Sequence, residues 1–249
     1  MQIAVVIPAR FASNRFPGKP LVNILGKSMI ERVCERVSHC QTVDRVIVAT
    51  DDSRIRQAVE AFGGEAWMTR SDHASGTDRL AEVAESLQVD LVVNVQGDEP
   101  LIAPSMIDAA VAPLLEDADL PMGTLKSPIK DWREFRDPNV VKVVTDKFGD
   151  ALYFSRAPIP FPRDDWPDDL QSANNPHAYR HIGLYVYRRD FLLRFAALPQ
   201  SPLEILEKLE QLRALEHGYR IRVVETQEPC IGVDTPEDVA LVERLLAEG

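Results

Sequence analysis

Residues 90–100 read DLVVNVQGDEP, an apolar run of strand length that ends on a glycine and two acids. Such continuous apolar character belongs to a central parallel strand covered on both faces. The turn that follows sets Asp98 at its carboxyl end, with Gly97 permitting close backbone approach. Upstream, 2–7 (QIAVVI) reads as a second buried strand, and 28–38 carries Met29, Ile30, Val33 and Val37 at helical spacing. A strand at 45–50, a helix at 53–62 stopped by Gly63-Gly64, a short strand near Ala66 and a helix at 77–87 continue the alternation. Strands alternating with amphipathic helices predict an α/β fold, Rossmann-like, with a mostly parallel mixed sheet.

Beyond Pro121 the pattern changes. Segments 140–145 and 151–155 flank Phe148-Gly149-Asp150, a hairpin signal that predicts a smaller second lobe. Residues 157–178 hold five prolines and no periodicity, so they read as a long surface loop. A strand at 183–187, a helix at 202–216, a strand at 220–224 and a closing helix after Asp234 complete the chain. No linker separates independent domains, and 249 residues suit one domain with two parts.

The chain has 28 Lys plus Arg against 39 Asp plus Glu, a formal charge of −11, which disfavours nucleic acid as a partner. No apolar run approaches the roughly 20 residues of a membrane helix, and the start MQIAVVIPAR lacks a secretory signal, so no membrane partner and a cytoplasmic location are expected. Cys34, Cys40 and Cys230 form no CxxC pair and suit reduced thiols.

Against this acidic background the first acid is Glu31, while Arg10, Arg15, Lys19 and Lys27 precede it. The loop 9–20 (ARFASNRFPGKP) mixes small residues and a Pro-Gly turn with three cations, beginning at Ala9 and Arg10 just past the first strand. That is either a solvated basic loop or an anion site at a strand's carboxyl end. A Walker A loop would need glycine at Ser13 and a hydroxyl at Pro20. A dinucleotide fingerprint would need glycines that 1–16 lacks.

Two acids are candidate cation ligands. Asp98 is either a turn former or a carboxylate able to hold Mg²⁺ against substrate phosphates. In 232–238 (GVDTPED), Thr235 can cap a helix with Pro236 at its first position and Asp238 closing a capping box, which leaves Asp234 free. Ser75 and Arg79, in 73–79, open a helix and either cap it or meet an anion. Asp51 and Asp52 read as helix caps, and His73 and His177 have no metal-ligand spacing. On a helical wheel of 202–216, Leu203, Ile205, Leu206, Leu209 and Leu212 form the apolar arc, with Glu210 and Arg213 on the same inward face. They form either a local ion pair or the border of a polar cleft.

Eight segments in order resemble the CMP-KDO synthetases (3-deoxy-manno-octulosonate cytidylyltransferases) from residue 3 to residue 246: 7–21 (IPARFASNRFPGKPL), 48–52 (VATDD), 75–82 (SGTDRLAE), 93–100 (VNVQGDEP), 151–160 (ALYFSRAPIP), 180–187 (RHIGLYVY), 206–216 (LEKLEQLRALE) and 232–238 (GVDTPED). The resemblance implies a nucleotidyltransferase that joins CTP to KDO, giving CMP-KDO and pyrophosphate for lipopolysaccharide biosynthesis, with Mg²⁺. It implies that Ala9, Arg10, Arg15 and Lys19 hold the nucleotide with Ser75, Arg79 and Gln96, and that Asp98 and Asp234 ligate Mg²⁺, the catalytic set being Arg10, Lys19, Asp98 and Asp234. Gln96, Arg156, His181, Tyr185, Glu210 and Gln211 correspond to the sugar-acid contacts. It also implies that about 1–120 and 219–249 bind the nucleotide, while about 121–218 bind the sugar and form a homodimer. Asn14 and Phe16 depart from the common first motif, where Thr and Leu are expected. A related sugar acid, such as 8-amino-KDO or a sialic acid, is the competing substrate. A catalytically silent nucleotide-binding regulator is the competing reading of another class.

Overall fold

The computed structural model describes residues 1–12, 16–73, 75–164 and 178–248. Strands β1 (Ile3–Ala9), β2 (Asn23–Ile24) and β3 (Lys27–Ser28) lead into helix α1 (Met29–Ser38), followed by β4 (Arg45–Thr50), α2 (Ser53–Ala61), β5 (Glu65–Met68), α3 (Gly76–Ser86) and β6 (Leu91–Asn94). Next come α4 (Pro104–Glu116), β7 (Met122–Pro128), α5 (Trp132–Arg136), β8 (Lys142–Thr145), β9 (Ala151–Ser155) and β10 (Tyr179–Arg188). Helices α6 (Arg189–Ala197), α7 (Pro202–Glu207) and α8 (Gln211–Glu216), strand β11 (Ile221–Glu225) and helix α9 (Pro236–Glu248) finish the order.

One sheet runs β11-β7-β10-β6-β1-β4-β5, and the β8–β9 hairpin joins it where β8 pairs with β10. Along that path pairing is parallel except at β10, which is antiparallel to both β6 and β7, and the β8–β9 hairpin is antiparallel. The carboxyl ends of β1, β6, β7 and β11 therefore share one edge. The α/β class, the mostly parallel sheet and the hairpin are as expected from the sequence.

Both faces of the sheet are covered, which explains the uninterrupted apolar strands. On β1, Ile3, Val5 and Ile7 pack with Ile30, Val33, Ile55 and Ile107, while Ala4 and Val6 pack with Leu80, Ala84, Leu192 and Leu212. Each Val, Ile or Leu side chain among them, removed from water, contributes about 1.5–3 kcal/mol. A smaller cluster of Ile24, Met29, Val233 and Val242 docks α9 and the segment before it beside β2 and α1. At the end of β6, a Cβ on Gly97 would stand 3.0 Å from the Pro8 carbonyl oxygen, so glycine lets this turn lie against the end of β1.

Several elements differ from the sequence reading. The single helix expected over 202–216 is two helices, broken where Lys208 turns left-handed (φ 55°). The break voids the wheel: Ile205 and Leu206 are exposed at 50% and 78%, whereas Leu209 and Leu212 are buried. Strand β10 begins at Tyr179, not 183, and its register slips between Ile182 and Tyr185. Residues 156–164 carry no helix or strand, while 165–177 of the expected loop lie outside the described residues. Among the described residues, no helix is long and apolar enough to cross a membrane.

Candidate active site

The cationic loop and the two acids meet. Lys19 Nζ donates to Asp98 Oδ2 at 2.6 Å, to the Val233 carbonyl at 2.8 Å and to Asp234 Oδ1 at 3.2 Å. Local structure builds this cluster. Lys19 begins a short 3-10 turn after Gly18, whose φ of +73° suits glycine and whose missing side chain leaves room for the Phe11 ring. Val233 N donates to the Asp98 carbonyl at 2.9 Å, tying the segment before α9 to the end of β6. The expected capping box is present: Asp238 Oδ2 accepts from the backbone N of Asp234 and Thr235, and Thr235 Oγ1 accepts from Asp238 N at 3.4 Å. The Asp234 side chain stays 65% exposed.

Burial works against the Lys19 charge, but hydrogen bonding and attraction to Asp98 and Asp234 outweigh it and hold the ammonium above its usual range. Beside it, burial and the Asp98 charge push the Glu99 carboxyl up to about 7, opposed by its hydrogen bond with Cys230. Two carboxylates sharing one cation, partly open to water, form a hard-oxygen set that suits Mg²⁺. No group of three or more metal-binding side chains occurs among the described residues. Remaining ligands would thus come from water and phosphate, as that ion prefers.

Pro8, Arg10, Lys19, Gln96, Gly97 and Asp98 line a cleft of about 180 Å³, with buried Ala9 at its rim. Arg10 Nη2 donates to the carbonyls of His73 (2.8 Å) and Ser75 (3.2 Å), so the end of β1 is braced against the start of α3. Ser75 is the N-cap of α3, in a reciprocal capping box with Asp78. Gln96 Nε2 donates to the Gly183 carbonyl at 3.2 Å, reaching the irregularity in β10.

That irregularity sets the spacing of two aromatic residues on β10. Four residues of regular strand span about 13 Å, yet the rings of His181 and Tyr185 stand 5.3 Å apart because the bulge shortens the strand. The buried Thr124 hydroxyl fills the bulge, lying 2.7 Å from Leu184 O, 3.0 Å from Ile182 O and 2.9 Å from His181 Nε2. Burial pushes the His181 pKa down to about 3 and raises that of Tyr185 well above its ordinary range, helped by the Glu210 charge. Glu210 lies at the N-cap of α8, where its Oε2 accepts from Thr77 Oγ1 at 2.5 Å and its Oε1 lies 3.5 Å from Arg213. The local ion pair and the polar border are therefore both present, since Ser75, Glu210 and Arg213 line a second cleft of about 360 Å³.

Other expected residues lie apart. The fully buried Arg79 guanidinium donates to Thr69 Oγ1 and to Asp51 Oδ2 (3.1 Å), bracing the loops after β4 and β5. Asp51 is thus an ion-pair partner, while Asp52 caps α2. Arg156, at the end of β9, donates from Nε to the Glu207 carbonyl and from Nη1 to that of Pro138. Gln211 is buried in the first turn of α8. Arg15 lies outside the described residues. Thr77 and Thr124 escaped the sequence reading because a hydroxyl's partner, not its type, marks it out.

The chain belongs to the cytidylyltransferase family, whose model matches residues 4–221. It is 67% identical over 246 residues to the 3-deoxy-manno-octulosonate cytidylyltransferase of Syntrophotalea carbinolica, covering 98% of each chain, and 59% identical over 249 residues to that of Geobacter metallireducens, again with 98% of each covered. A solved structure of CMP:2-keto-3-deoxy-manno-octonic acid synthetase complexed with CTP matches with a TM-score of 0.92 at 45% identity, covering 100% of this chain and 99% of the other. Its place in the family is the 3-deoxy-manno-octulosonate cytidylyltransferase branch.

Proposed function

We propose that this chain is the 3-deoxy-manno-octulosonate cytidylyltransferase of its source, joining CTP to the sugar acid KDO to give CMP-KDO and pyrophosphate, for lipopolysaccharide biosynthesis. The observation that carries this reading is Lys19 held between Asp98 and Asp234 beside Arg10, at the carboxyl edge of the sheet where ligands of open α/β folds bind.

The anomeric hydroxyl of the sugar acid must attack the α-phosphorus of CTP while carrying a carboxylate on the same carbon. Two unit anions at 4 Å repel by on the order of 4 kcal/mol at an effective dielectric near 20. Arg10 and Lys19 offset this, meeting the triphosphate and the charge that builds on departing pyrophosphate. Asp98 and Asp234 would hold Mg²⁺, which supplies charge neutralisation and a lowered hydroxyl pKa when bound. For that, Lys19 turns from the two carboxylates to the phosphates. His181, kept neutral by burial, and Tyr185 offer uncharged contacts to sugar hydroxyls, Glu210 offers an anionic acceptor, and Gln96 spans from the phosphate end to the bulge.

The same reading includes a cytoplasmic homodimer. Phe148 and Leu152 on the β8–β9 hairpin and Leu206 on α7 are 67%, 63% and 78% exposed, large apolar side chains that a second copy would cover. Pyrophosphate release measured with CTP, UTP or ATP, with KDO present or absent, tests the function. Release with CTP only when KDO is present supports it; CTP binding with no release under any pairing would favour a silent regulator.

A further inference from the structure

The N-terminal turn of α3 does more than cap a helix. Thr77 is 3% exposed and its hydroxyl reaches Glu210, on a different part of the chain, at 2.5 Å. Tyr187, on β10, is likewise buried, at 1% exposure. A threonine hydroxyl has one proton to give and two lone pairs to accept with. A carboxylate can only accept, so the Thr77 proton goes to Glu210. The direction of that bond is therefore fixed as Thr77 to Glu210.

We propose that Thr77 is a positioning residue for the sugar acid: it orients the Glu210 carboxylate so that one edge stays open toward the substrate cleft, and it links that carboxylate to the nucleotide end. The proposal rests on the reading of Glu210 as a sugar contact. Glu210 makes no side-chain cap to α8, so its carboxylate is not consumed by the helix it begins. Its side chain is 31% exposed, at the cleft lined by Ser75, Asp78, Glu204, Lys208 and Arg213. The link to the nucleotide end is short. Arg10 holds the Ser75 carbonyl at 3.2 Å, Ser75 caps the turn that contains Thr77, and Thr77 holds Glu210.

The electrostatics fit that role. Burial raises the Glu210 pKa, opposed by the hydrogen bond from Thr77, the charge of Arg213 and the hydrogen bond from Ser75, with Asp78 pushing upward. Tyr185 and Tyr187, the phenols facing it from β10, are held protonated by burial and by that same carboxylate.

The test compares Thr77→Val, Thr77→Ser, Glu210→Gln and the Thr77→Val/Glu210→Gln double variant in the full chain. Thr77→Val should raise KM for the sugar acid at least about tenfold, the scale of a hydrogen bond to a charged group, with KM for CTP within about twofold. Thr77→Ser should restore it, and Thr77→Val should add nothing in the Glu210→Gln background. Carboxyl ¹³C NMR of glutamate-labelled protein, with the resonance assigned by Glu210→Gln, should show the Glu210 titration moving to higher pH in Thr77→Val. An unmoved titration, or effects that add in the double variant, would overturn the positioning role whatever Glu210 does. An unchanged sugar KM in Glu210→Gln would instead remove the sugar role of Glu210, and the positioning role with it, even with a shifted titration.

Discussion

Lys19 and Asp98, 79 positions apart, meet at 2.6 Å, and the same ammonium reaches Asp234 at 3.2 Å, so both acids stand well within a nanometre of one another. The cation expected to meet phosphate and the carboxylates expected to meet a divalent ion neutralise each other. On the proposed reading, Lys19 would have to leave this pair before the two acids could hold Mg²⁺.

Lys19→Met should lower turnover by at least about 10²-fold, the scale of losing one preorganised charge contact. It should also strengthen Mn²⁺ binding to the nucleotide-free protein, because two carboxylates lose their ammonium partner. Electron paramagnetic resonance of Mn²⁺ titrations checks this. Equal or weaker Mn²⁺ binding in the variant would show that Lys19 does not compete for the site.

Arg79→Met should act on stability. Removing one partner of a buried ion pair costs about 3 kcal/mol or more, and Arg79 is fully buried against Asp51. Urea unfolding followed by circular dichroism measures this. Unchanged stability with a raised KM for CTP would return Arg79 to the nucleotide.

Folding should weaken in acid partly through His181. Its pKa lies near 3 in the fold against 6.5 for a free side chain. Between those values the unfolded chain binds a proton that the folded chain does not. The contribution is thus fully present above pH 6.5 and is lost as pH falls toward 3. In His181→Gln the acid limb of a melting temperature against pH curve should be shallower over that window. An unaltered slope would mean that the ring takes up its proton without unfolding.

What could be read from sequence follows the kind of contact involved. Strands β1, β4 and β6 were legible because burial on both faces demands continuous apolar residues. Strand β7 was not, since Thr124 and Ser127 are buried hydroxyls whose partners lie on β10. Lys208 adopts a left-handed turn without being glycine, so periodicity ran straight through the break between α7 and α8. Glu210 faces inward all the same, for a reason the wheel did not contain: the Thr77 hydroxyl. The Arg79–Asp51 pair was not legible because Asp51 reads locally as a helix cap.

The most direct measurement is anomalous diffraction from crystals soaked with CTP and Mn²⁺. The account predicts a manganese peak bridging Asp98, Asp234 and phosphate oxygens, with the Lys19 ammonium moved onto the triphosphate. A bound triphosphate with Lys19 still seated between the two acids and no metal there would contradict it.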